Sequence, residues 1–402
     1  MYRFLPLAAL LILAGCASRV VPPSRPPIVS PRLPIVIRPL VPPAVIAPRP
    51  TARPSTVRAL LPSVPARGSS RAADIGLRPG PIVANLALSP AAAARALEAF
   101  RLSCPSVTRR NDRTGLTRPS DWTEACAAAR GWSSGDAVRF FSTHFESVEV
   151  GDGTAFATGY YEATIRGCRT RQPGCQVPIY GRPPGLRKPY FTRAQIQDGA
   201  LSGQNLEIAW AADAIDLFFM EIQGSGRLTL PDGGVMRLGY AEQNGHSYVP
   251  IGRILRERGE LERSNITLQT IQAWMRRQPD GGRALMRDNP SYIFFRELTG
   301  AGPIGSLGVP VTPRGSVAVD PTFVTYGAPV LLSGMDNVNA DGLWVAQDTG
   351  GAIRGANRFD TFWGAGAEAV AISGPLQARG RALLFLPRGT LERLSGNAPA
   401  RP

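Results

Sequence analysis

The chain has 402 residues, of which 44% are hydrophobic and 19% charged, and its net charge at pH 7 is +15. Nine arginines and no acidic residue lie between Arg19 and Arg71, and with Arg3 they supply ten of the positive charges. The remainder is an ordinary, mildly basic globular sequence with enough length for two domains, so charge alone does not indicate a nucleic-acid partner.

The start of the chain has the form of a lipoprotein signal. The apolar run 4–13 is too short to cross a bilayer, and Leu13-Ala-Gly-Cys16 matches a lipobox. We expect a signal peptide at 1–15 and acylation of Cys16, with an ordinary secretory signal as the alternative. Ala17, and not an aspartate, stands directly after Cys16, so we expect a lipid anchor in the outer membrane, on its periplasmic face.

Residues 16–80 differ in composition from the rest of the chain. Proline recurs every few positions from Pro22 onward, and proline rings forbid a helix. We predict an extended, polyproline-like tether that buries no core. Its arginines favour anionic partners such as lipid headgroups. Nucleic acid is the rival partner of a basic arm, but an exported lipoprotein meets none.

Beyond Cys16 the sequence has four cysteines: Cys104, Cys126, Cys168 and Cys175. An even number in an exported chain indicates two disulfides, for which three connectivities are possible. We expect Cys104–Cys126 and Cys168–Cys175, because these pairs close the shortest loops. A zinc site is disfavoured by the spacing and by the presence of only two histidines, so we predict no metal.

The first folded segment begins with helices and then becomes β-rich. Three helices are predicted from apolar spacing and cap residues: 90–100 after Ser89, 122–130, and 135–144 after Ser134. Residues 155–165 are rich in aromatic and β-branched types and are predicted to form a strand.

Residues 163–290 have a mixed pattern. The elements predicted there are a short helix from Thr192, an apolar–polar alternation over 206–222, a hairpin of 226–230 with 235–238, and helices at 250–258 and 267–277. The glycines of Gln223-Gly-Ser-Gly226 expose backbone donors that suit sugar hydroxyls. A phosphate cradle is the alternative, but no Walker spacing or lysine supports it.

From 291 onward the sequence predicts short strands separated by Gly, Pro and Asn. The candidates are 292–295, 316–319, 328–332, 343–347, 370–372 and 381–386. Such spacing is typical of a small β-barrel.

The stretch 348–366 is the richest in chemistry. Two carboxylates twelve positions apart, Asp348 and Asp360, occur with glycines and aromatic rings, as in a carbohydrate site. We expect Asp348 at the end of a strand. We also expect Phe359 on one side of Asp360 and Phe362-Trp363 on the other to raise the pKa of Asp360 by desolvation. The alternative is that Asp348 caps a turn and Asp360 is a solvated loop residue.

This stretch resembles the C-terminal three-aspartate domain of the membrane-bound lytic murein transglycosylase A family. Asp320, Asp348 and Asp360 match that domain's first, second and third aspartates. Further motifs follow the family in the same order: Thr158-Gly-Tyr-Tyr-Glu162, Pro178-Ile-Tyr180, Met220-Glu-Ile-Gln-Gly-Ser-Gly226, Gly239-Tyr-Ala-Glu-Gln-Asn-Gly-His-Ser-Tyr248 and Asn289-Pro-Ser-Tyr-Ile-Phe-Phe295. Several independent motifs in one order, over roughly residues 85–390, are far more specific than any one alone.

The resemblance implies a mainly β fold with some α structure. A six-stranded double-psi β-barrel would be built from two chain segments, with a mixed α/β domain inserted and a groove between them. The implied parts are 81–162 for the first part of the barrel domain with its helices, 163–290 for the inserted domain, 291–390 for the rest of the barrel and 391–402 for a tail.

The resemblance also implies a lytic transglycosylase that acts on peptidoglycan glycan strands in cell-wall turnover, as an exo-acting murein lyase without a cofactor. One carboxyl suffices, because the substrate's own C6 hydroxyl replaces water and closes a 1,6-anhydro ring. The family places this role on Asp360, with Asp348 and Asp320 as supports of the site or of the oxocarbenium charge. A tethered enzyme could also join cell-wall synthesis or hydrolysis complexes, and the tether's arginines would meet peptide carboxylates.

The residues expected to bind the glycan are Thr158, Gly159, Tyr160, Tyr161, Gln223, Gly224, Ser225, Gly226, Gly350, Gly351 and Trp363. Aromatic rings suit the apolar faces of sugars, although ordinary sheet packing explains Tyr160 and Tyr161 as well. Gly350 and Gly351 are also expected to turn the chain with positive φ.

Three other functions remain open. A muramidase-type hydrolase would use two carboxylates and water. Asp348-Thr-Gly350 is the tripeptide of aspartic peptidases, but these need two such motifs or a dimer, and the sequence has one. A non-catalytic glycan-binding lipoprotein would bind strands without cutting them. The mass of the released muropeptides separates these alternatives.

Overall fold

The computed structural model describes residues 71–262, 266–300 and 302–396. The predicted signal peptide, Cys16 and most of the predicted tether lie outside the described residues. Within the ranges that are described, every helix is too short or too polar to traverse a bilayer.

The described residues form a mixed α/β structure that is rich in sheet. The helices are α1 (Ala72–Ile75), α2 (Pro90–Val107), α3 (Thr123–Ala129), α4 (Ala137–His144), α5 (Arg193–Gln197), α6 (Ala214–Gln223), α7 (Ile251–Glu257), α8 (Leu268–Arg277), α9 (Arg283–Arg287), α10 (Ala367–Ser373) and α11 (Thr390–Leu394). The strands are β1 (Leu77–Pro79), β2 (Phe145–Val150), β3 (Thr154–Cys168), β4 (Val177–Tyr180), β5 (Glu207–Ala211), β6 (Ser225–Thr229), β7 (Val235–Gln243), β8 (Ile293–Glu297), β9 (Ser316–Ala318), β10 (Pro329–Ser333), β11 (Gly342–Asp348), β12 (Arg358–Ala365) and β13 (Gln377–Pro387).

Within the described part, six strands close on themselves, and we call them the ring. Their order is β13, β10, β11, β9, β12 and β3, and β3 pairs again with β13. β12 runs parallel to β3 and antiparallel to β9, which places Asp360 opposite Thr158 on one side and opposite Ala318 on the other. The ring therefore brings the two ends of the folded sequence together at Asp360.

β3 also carries the chain out of the ring into a second sheet. Its later residues pair in parallel with β6, with Ala163 opposite Gly226, and its last residues pair with β5. β6 and β7 form the predicted hairpin, and β8 adds to β7. One strand of 15 residues thus belongs to both sheets.

The N-terminal helices pack on the ring through aromatic and small side chains. Ser89 Oγ accepts a hydrogen bond from Ala92 N at 3.5 Å, and Pro90 takes the first helical position of α2 as predicted. The Phe100 ring of α2 meets Phe145, the first residue of β2, edge to face with ring centroids 5.3 Å apart. α2 continues beyond the predicted end at 100, to Val107.

Several predicted boundaries differ from the structure. Residues 72–79 of the predicted tether form α1 and β1, and β1 pairs with β2. The alternation over 206–222 is a strand followed by a helix, β5 and α6. The helix predicted after Ser134 is capped one residue earlier, as Ser133 Oγ accepts from Gly135 N, and α4 starts only at Ala137. α11 occupies the first residues of the predicted tail.

The strand predicted at 370–372 is wrong, since these residues lie in α10. Gly366 precedes this helix with φ 92° and Gly374 follows it. α10 packs closely on β3, where a Cβ on Gly159 would lie 2.8 Å from Ser373 Cα. The absence of a side chain at Gly159 allows this contact, which local sequence patterns do not report.

Within the described residues, two disulfides join Cys104 to Cys126 and Cys168 to Cys175. The first links α2 to α3, and the second closes the turn between β3 and β4. We expect peptide mapping under non-reducing conditions to recover these two pairs, and we expect the loss of each to cost about 2–4 kcal/mol of stability through the entropy of the opened loop. Cross-paired peptides or free thiols would contradict this pairing.

Candidate functional site

A cleft of about 280 Å³ lies beside the ring, on the face of β12 that carries Asp360. Its lining comes from β3, β12, the end of β11 with the loop after it, the end of α6 and the residues around β8. The predicted site residues that it brings together are Thr158, Gly159, Tyr160, Gln223, Asp348, Gly350, Gly351 and Asp360. In the part of the chain that is described, no group of three or more His, Cys, Asp or Glu side chains could hold a metal ion.

Asp360 lies in the middle of β12 rather than in a loop. Because side chains alternate along a strand, Asp360 and Phe362 lie on one face of β12 and Phe359 on the other. Asp360 lines the cleft, Phe362 is buried beside it against Tyr160 and Ile353, and Phe359 packs in the main core, where it is 1% exposed. Phe359 and Trp363 therefore do not supply the expected apolar surface beside Asp360, whereas Phe362 lies on the same face of the strand as Asp360. The apolar neighbours on the cleft face are Phe362 and Tyr160, whose ring centroids are 4.9 Å apart.

Thr158 and Arg358 hold the Asp360 carboxyl group. Thr158 Oγ1 donates to Asp360 Oδ1 at 2.5 Å and accepts from Arg358 Nη2 at 2.9 Å. Since a guanidinium group can only donate, the hydroxyl hydrogen of Thr158 must point toward Asp360. Oδ1 is thus engaged as an acceptor, and a proton on this carboxyl is best placed on Oδ2.

The surroundings of Asp360 shift its protonation towards neutral pH. The pKa of Asp360 is raised to about 6, and burial is the largest cause. The negative charge of Asp348 also raises this pKa, whereas the charge of Arg358 and the Thr158 hydrogen bond lower it. A carboxyl group with this pKa can donate a proton and take one back near its working pH.

Asp348 is the last residue of β11, as predicted, and hydrogen bonds hold both of its oxygens. Oδ1 accepts from Ser306 N and Ser306 Oγ, each at 2.9 Å, and from Thr349 N at 2.8 Å, while Oδ2 accepts from Tyr160 Oη at 3.1 Å. Burial still raises the pKa of Asp348. Burial, with the charges of Asp348 and Asp360, raises the pKa of Tyr160 well above its usual value, so Tyr160 remains a neutral donor.

Asp320 lies behind the cleft rather than in its lining. Its Oδ2 accepts from Gly355 N at 2.9 Å, and its Oδ1 accepts from Thr322 N at 3.0 Å and from Thr322 Oγ1 at 2.7 Å. Although burial would raise the pKa of Asp320, these donors lower it overall. Asp320 therefore fastens the end of β9 to the loop 349–357, between the other two aspartates.

The turn of that loop does not use the expected glycines. Gly350 and Gly351 do not have positive φ, whereas Gly355 has φ 93° and Asn357 has φ 53°. Gly351 lies next to Tyr248, where an added Cβ would make an ordinary contact at 3.4 Å with the Tyr248 Cβ. The expectation of positive φ at Gly350 and Gly351 is wrong, while both residues line the cleft.

Five residues expected to bind glycan lie outside the cleft lining: Tyr161, Gly224, Ser225, Gly226 and Trp363. Trp363 is on the opposite face of β12 from Asp360 and packs on Trp344 with ring centroids 5.8 Å apart. Gly224 ends α6 with φ 79°, and a Cβ on Gly226 would lie 2.4 Å from Met220 Cε. The backbone conformation at Gly224 and the close packing at Gly226 thus explain why glycine occupies these two positions. Tyr161 N donates to Gln223 Oε1 at 3.0 Å, and this bond holds the side chain of Gln223.

Several residues of the cleft were not predicted from the sequence: Arg193, Glu221, Tyr248, Asn289, Ser291 and Arg358. Arg193 and Glu221 form an ion pair in which each side chain is 3% exposed. Arg193 Nε also donates to Ser291 O at 3.1 Å, and its guanidinium carbon is 4.6 Å from the ring centroid of Phe218. Most of these residues stand inside the quoted motifs, which is the only signal that could have indicated them.

Comparisons with known proteins match two parts of the chain to two domain families. Residues 156–296 match the MltA specific insert domain, and residues 315–386 match the 3D domain. The membrane-bound lytic murein transglycosylase A of Vibrio cholerae is 34% identical over 263 residues, which cover 62% of this chain and 71% of that relative.

Two solved structures are also similar. The membrane-bound lytic murein transglycosylase of Agrobacterium tumefaciens aligns with a TM-score of 0.67 at 32% identity, covering 74% of this chain and 94% of that one. Escherichia coli MltA, solved with bound chitohexaose, aligns with a TM-score of 0.61 at 29% identity, covering 74% of this chain and 90% of that one.

Proposed function

The chain belongs to the membrane-bound lytic murein transglycosylase A family, and on that premise we propose that Asp360 is the single acid and base of a peptidoglycan lytic transglycosylase. The observation that carries this assignment is a cleft carboxyl group whose pKa burial raises to about 6, held by Thr158. Since Escherichia coli MltA was solved with chitohexaose, we place the glycan strand in the cleft beside Asp360.

The reaction uses Asp360 twice. Asp360 first gives its proton to the oxygen of the β-1,4 bond between N-acetylmuramic acid and N-acetylglucosamine, and the bond from this oxygen to muramyl C1 breaks. The Asp360 carboxylate then takes the proton of the muramyl C6 hydroxyl while O6 bonds to C1. The product carries a 1,6-anhydro ring, no water is consumed, and the acid is regenerated.

The other two aspartates support this chemistry without transferring protons. Asp348 places a negative charge near the site, which raises the pKa of Asp360 and stabilises positive charge that develops at muramyl C1. Asp320 fixes the loop 349–357 through its bonds to Gly355 and Thr322.

The hydrogen bonds of Asp348 argue against the hydrolytic alternatives. A muramidase needs a second carboxylate that is free to activate water or to attack the sugar. Asp348 accepts bonds from Ser306 and Thr349 on one oxygen and from Tyr160 on the other. This supports a mechanism with one working carboxyl group over a muramidase or a peptidase.

For the fold, we extend the same proposal to a double-psi barrel formed by the ring. Support comes from the family and from the two parallel pairings, β12 with β3 and β11 with β9. The domain limits 81–162, 163–290 and 291–390 are part of this proposal, as is a lipid anchor at Cys16 in the outer membrane. The relatives named membrane-bound support the anchor.

The chemistry of the products tests the function. Purified sacculi treated with the enzyme should release muropeptides that end in 1,6-anhydromuramic acid, lighter by one water than the hydrated sugar. Mass spectrometry distinguishes the two ends. Reducing muramic ends would refute the transglycosylase mechanism and favour a muramidase, and intact sacculi would favour a binding protein.

The rate should depend on pH in the direction that a protonated acid requires. The Asp360 pKa of about 6 means that the fraction able to donate falls as pH rises through 6. We expect kcat/KM to decline above about pH 6, and we expect Thr158→Val to move this limb to higher pH, because the Thr158 hydrogen bond lowers the Asp360 pKa. A measured pH–rate profile without that limb would contradict the assignment.

A further inference from the structure

Three neighbouring strands carry a basic surface that continues outward from Asp360. Arg379 of β13 is the register partner of Phe156 in β3, and Phe156 is the partner of Arg358 in β12. The adjacent register pair on the same face is Thr158 with Asp360. Because register partners and every second residue of a strand share a face, the two arginines lie on the face of Asp360.

The aromatic side chain of Phe156 lies against both guanidinium groups. The guanidinium carbon of Arg358 lies 5.0 Å from the ring centroid of Phe156, and that of Arg379 lies 4.9 Å from it. A cation over an aromatic ring is attracted by the ring quadrupole. Arg358 already donates from Nη2 to Thr158 Oγ1 and from Nη1 to Phe359 O, whereas the Arg379 guanidinium group has no hydrogen-bond acceptor within the described residues. Arg358 lines the cleft, and Arg379 is exposed beside it.

Neither guanidinium group is neutralised by a carboxylate within salt-bridge distance. The ion pairs found in the described residues leave out Arg358 and Arg379, although the backbone N of Arg379 donates to Asp336 Oδ1 at 2.7 Å. The next arginine outward on β13 is different, since Arg381 pairs with Glu149 and donates to Asp152 O at 2.9 Å. Arg358 still acts on the Asp360 carboxyl group through its charge. Arg379 is therefore the arginine of this surface whose guanidinium group is left for a ligand.

Sugar hydroxyls do not account for the free guanidinium group of Arg379. Hydroxyls are neutral and form hydrogen bonds with amides and backbone donors as well, whereas a guanidinium group matches a carboxylate in charge and in donor geometry. In peptidoglycan, each muramyl residue bears a stem peptide with carboxylates, and the bond that Asp360 breaks is at C1 of such a residue.

We infer that Arg379, together with Arg358 and Phe156, forms a subsite for a stem-peptide carboxylate of the muramyl residue held at Asp360. The inference rests on the proposed function, since it takes the muramyl residue to be bound there. It adds a ligand class to the site, because the enzyme would then prefer peptide-bearing strands to bare glycan.

The test compares two substrates and two matched variants. Glycan strands that keep their stem peptides, and strands from which an amidase has removed them, are digested, and the ratio of the two kcat/KM values is measured. We expect Arg379→Gln to lower this ratio by about threefold to tenfold, as for a charged hydrogen bond at a partly exposed site. Arg381→Gln removes the same charge from the same strand and should leave the ratio as in the wild type.

Salt provides a second measurement of the same subsite. The wild-type preference for peptide-bearing strands should shrink as ionic strength rises, because screening weakens an exposed ion pair. A ratio in Arg379→Gln equal to that in Arg381→Gln, with an active wild-type enzyme, would refute the subsite alone. A wild-type enzyme that releases no anhydro ends from either substrate would refute the proposed function and the subsite with it.

Discussion

Asp360→Asn is expected to lower turnover by about two to four orders of magnitude while the fold and glycan binding persist. Asparagine keeps the size of the side chain and can accept the Thr158 hydrogen bond, but it has no proton to transfer. The release of anhydro ends from sacculi measures turnover, and binding of a chitooligosaccharide with the circular dichroism spectrum reports the intact cleft.

Asp348→Asn is the matched control in the same cleft. It retains an acceptor for Ser306 and Thr349 but removes a negative charge, so activity should fall less than in Asp360→Asn. Because the Asp348 charge raises the Asp360 pKa, the pH limb of this variant should move to lower pH. Full activity in Asp360→Asn with an inactive Asp348→Asn would overturn the assignment of roles.

The same Asp360 substitution has a consequence for stability. The pKa of Asp360 in the folded protein, about 6, is above its ordinary value of 3.8. The contribution of Asp360 is therefore fully present below the unfolded pKa and is lost as pH rises through 6. We expect Asp360→Asn to unfold at higher urea concentration than the wild type at pH 7 to 8, by about 1–2 kcal/mol after solvent screening, and not below pH 4.

Arg193→Met is expected to destabilise the protein by about 3–5 kcal/mol at pH 7. The substitution leaves the Glu221 carboxylate buried without its cation and removes the donors of Ser291 O. An uncompensated buried charge costs more than the ion pair contributes, and so the effect is large. Urea unfolding followed by fluorescence measures it.

The loss should depend on pH. Burial raises the pKa of Glu221 and Arg193 opposes this, so without Arg193 the carboxyl group takes up a proton more readily and the cost shrinks as pH falls. Adding Glu221→Gln to Arg193→Met should recover part of the stability. Arg283→Gln, which breaks an exposed pair with Asp198, should have a much smaller effect, because solvent screens an exposed ion pair. A small loss in Arg193→Met that is equal at pH 5 and pH 8 would contradict this explanation.

How far the sequence predicts the site is clearest at β12. The motif identified Asp360 and the glycines beside it, but it did not indicate that 358–365 is a strand. In a strand, side chains alternate between two faces. Phe359 and Trp363 therefore lie on the face opposite Asp360, and Arg358 lies on the same face as Asp360. The sequence separates Arg358 from Thr158 by 200 positions, and such long-range pairings are not contained in local periodicity.

The fold was predictable where local chemistry decides and unpredictable where packing decides. The Ser89 cap of α2 and the β6–β7 hairpin are set by neighbouring residues, and the structure has both. The short apolar run of α10 fits the periodicity of a helix and that of a strand, so the sequence does not distinguish the two. Its packing partner Gly159 is far away in the sequence. The same holds for the Arg193–Glu221 pair, whose partners come from different helices.

The hydrogen bond between Thr158 and Asp360 spans 202 positions, whereas the two disulfides span 22 and 7. If the chain becomes available for folding from its N-terminus onward, both disulfides can form early. The pairing of β3 with β12 and β13 can form only when the C-terminal part of the chain is present. Pairing over such distances is slow, and it leaves a strand edge open to wrong partners meanwhile. Because Asp360 meets Thr158 only when β12 pairs with β3, the proposed catalytic site stays incomplete until both of these distant segments are folded.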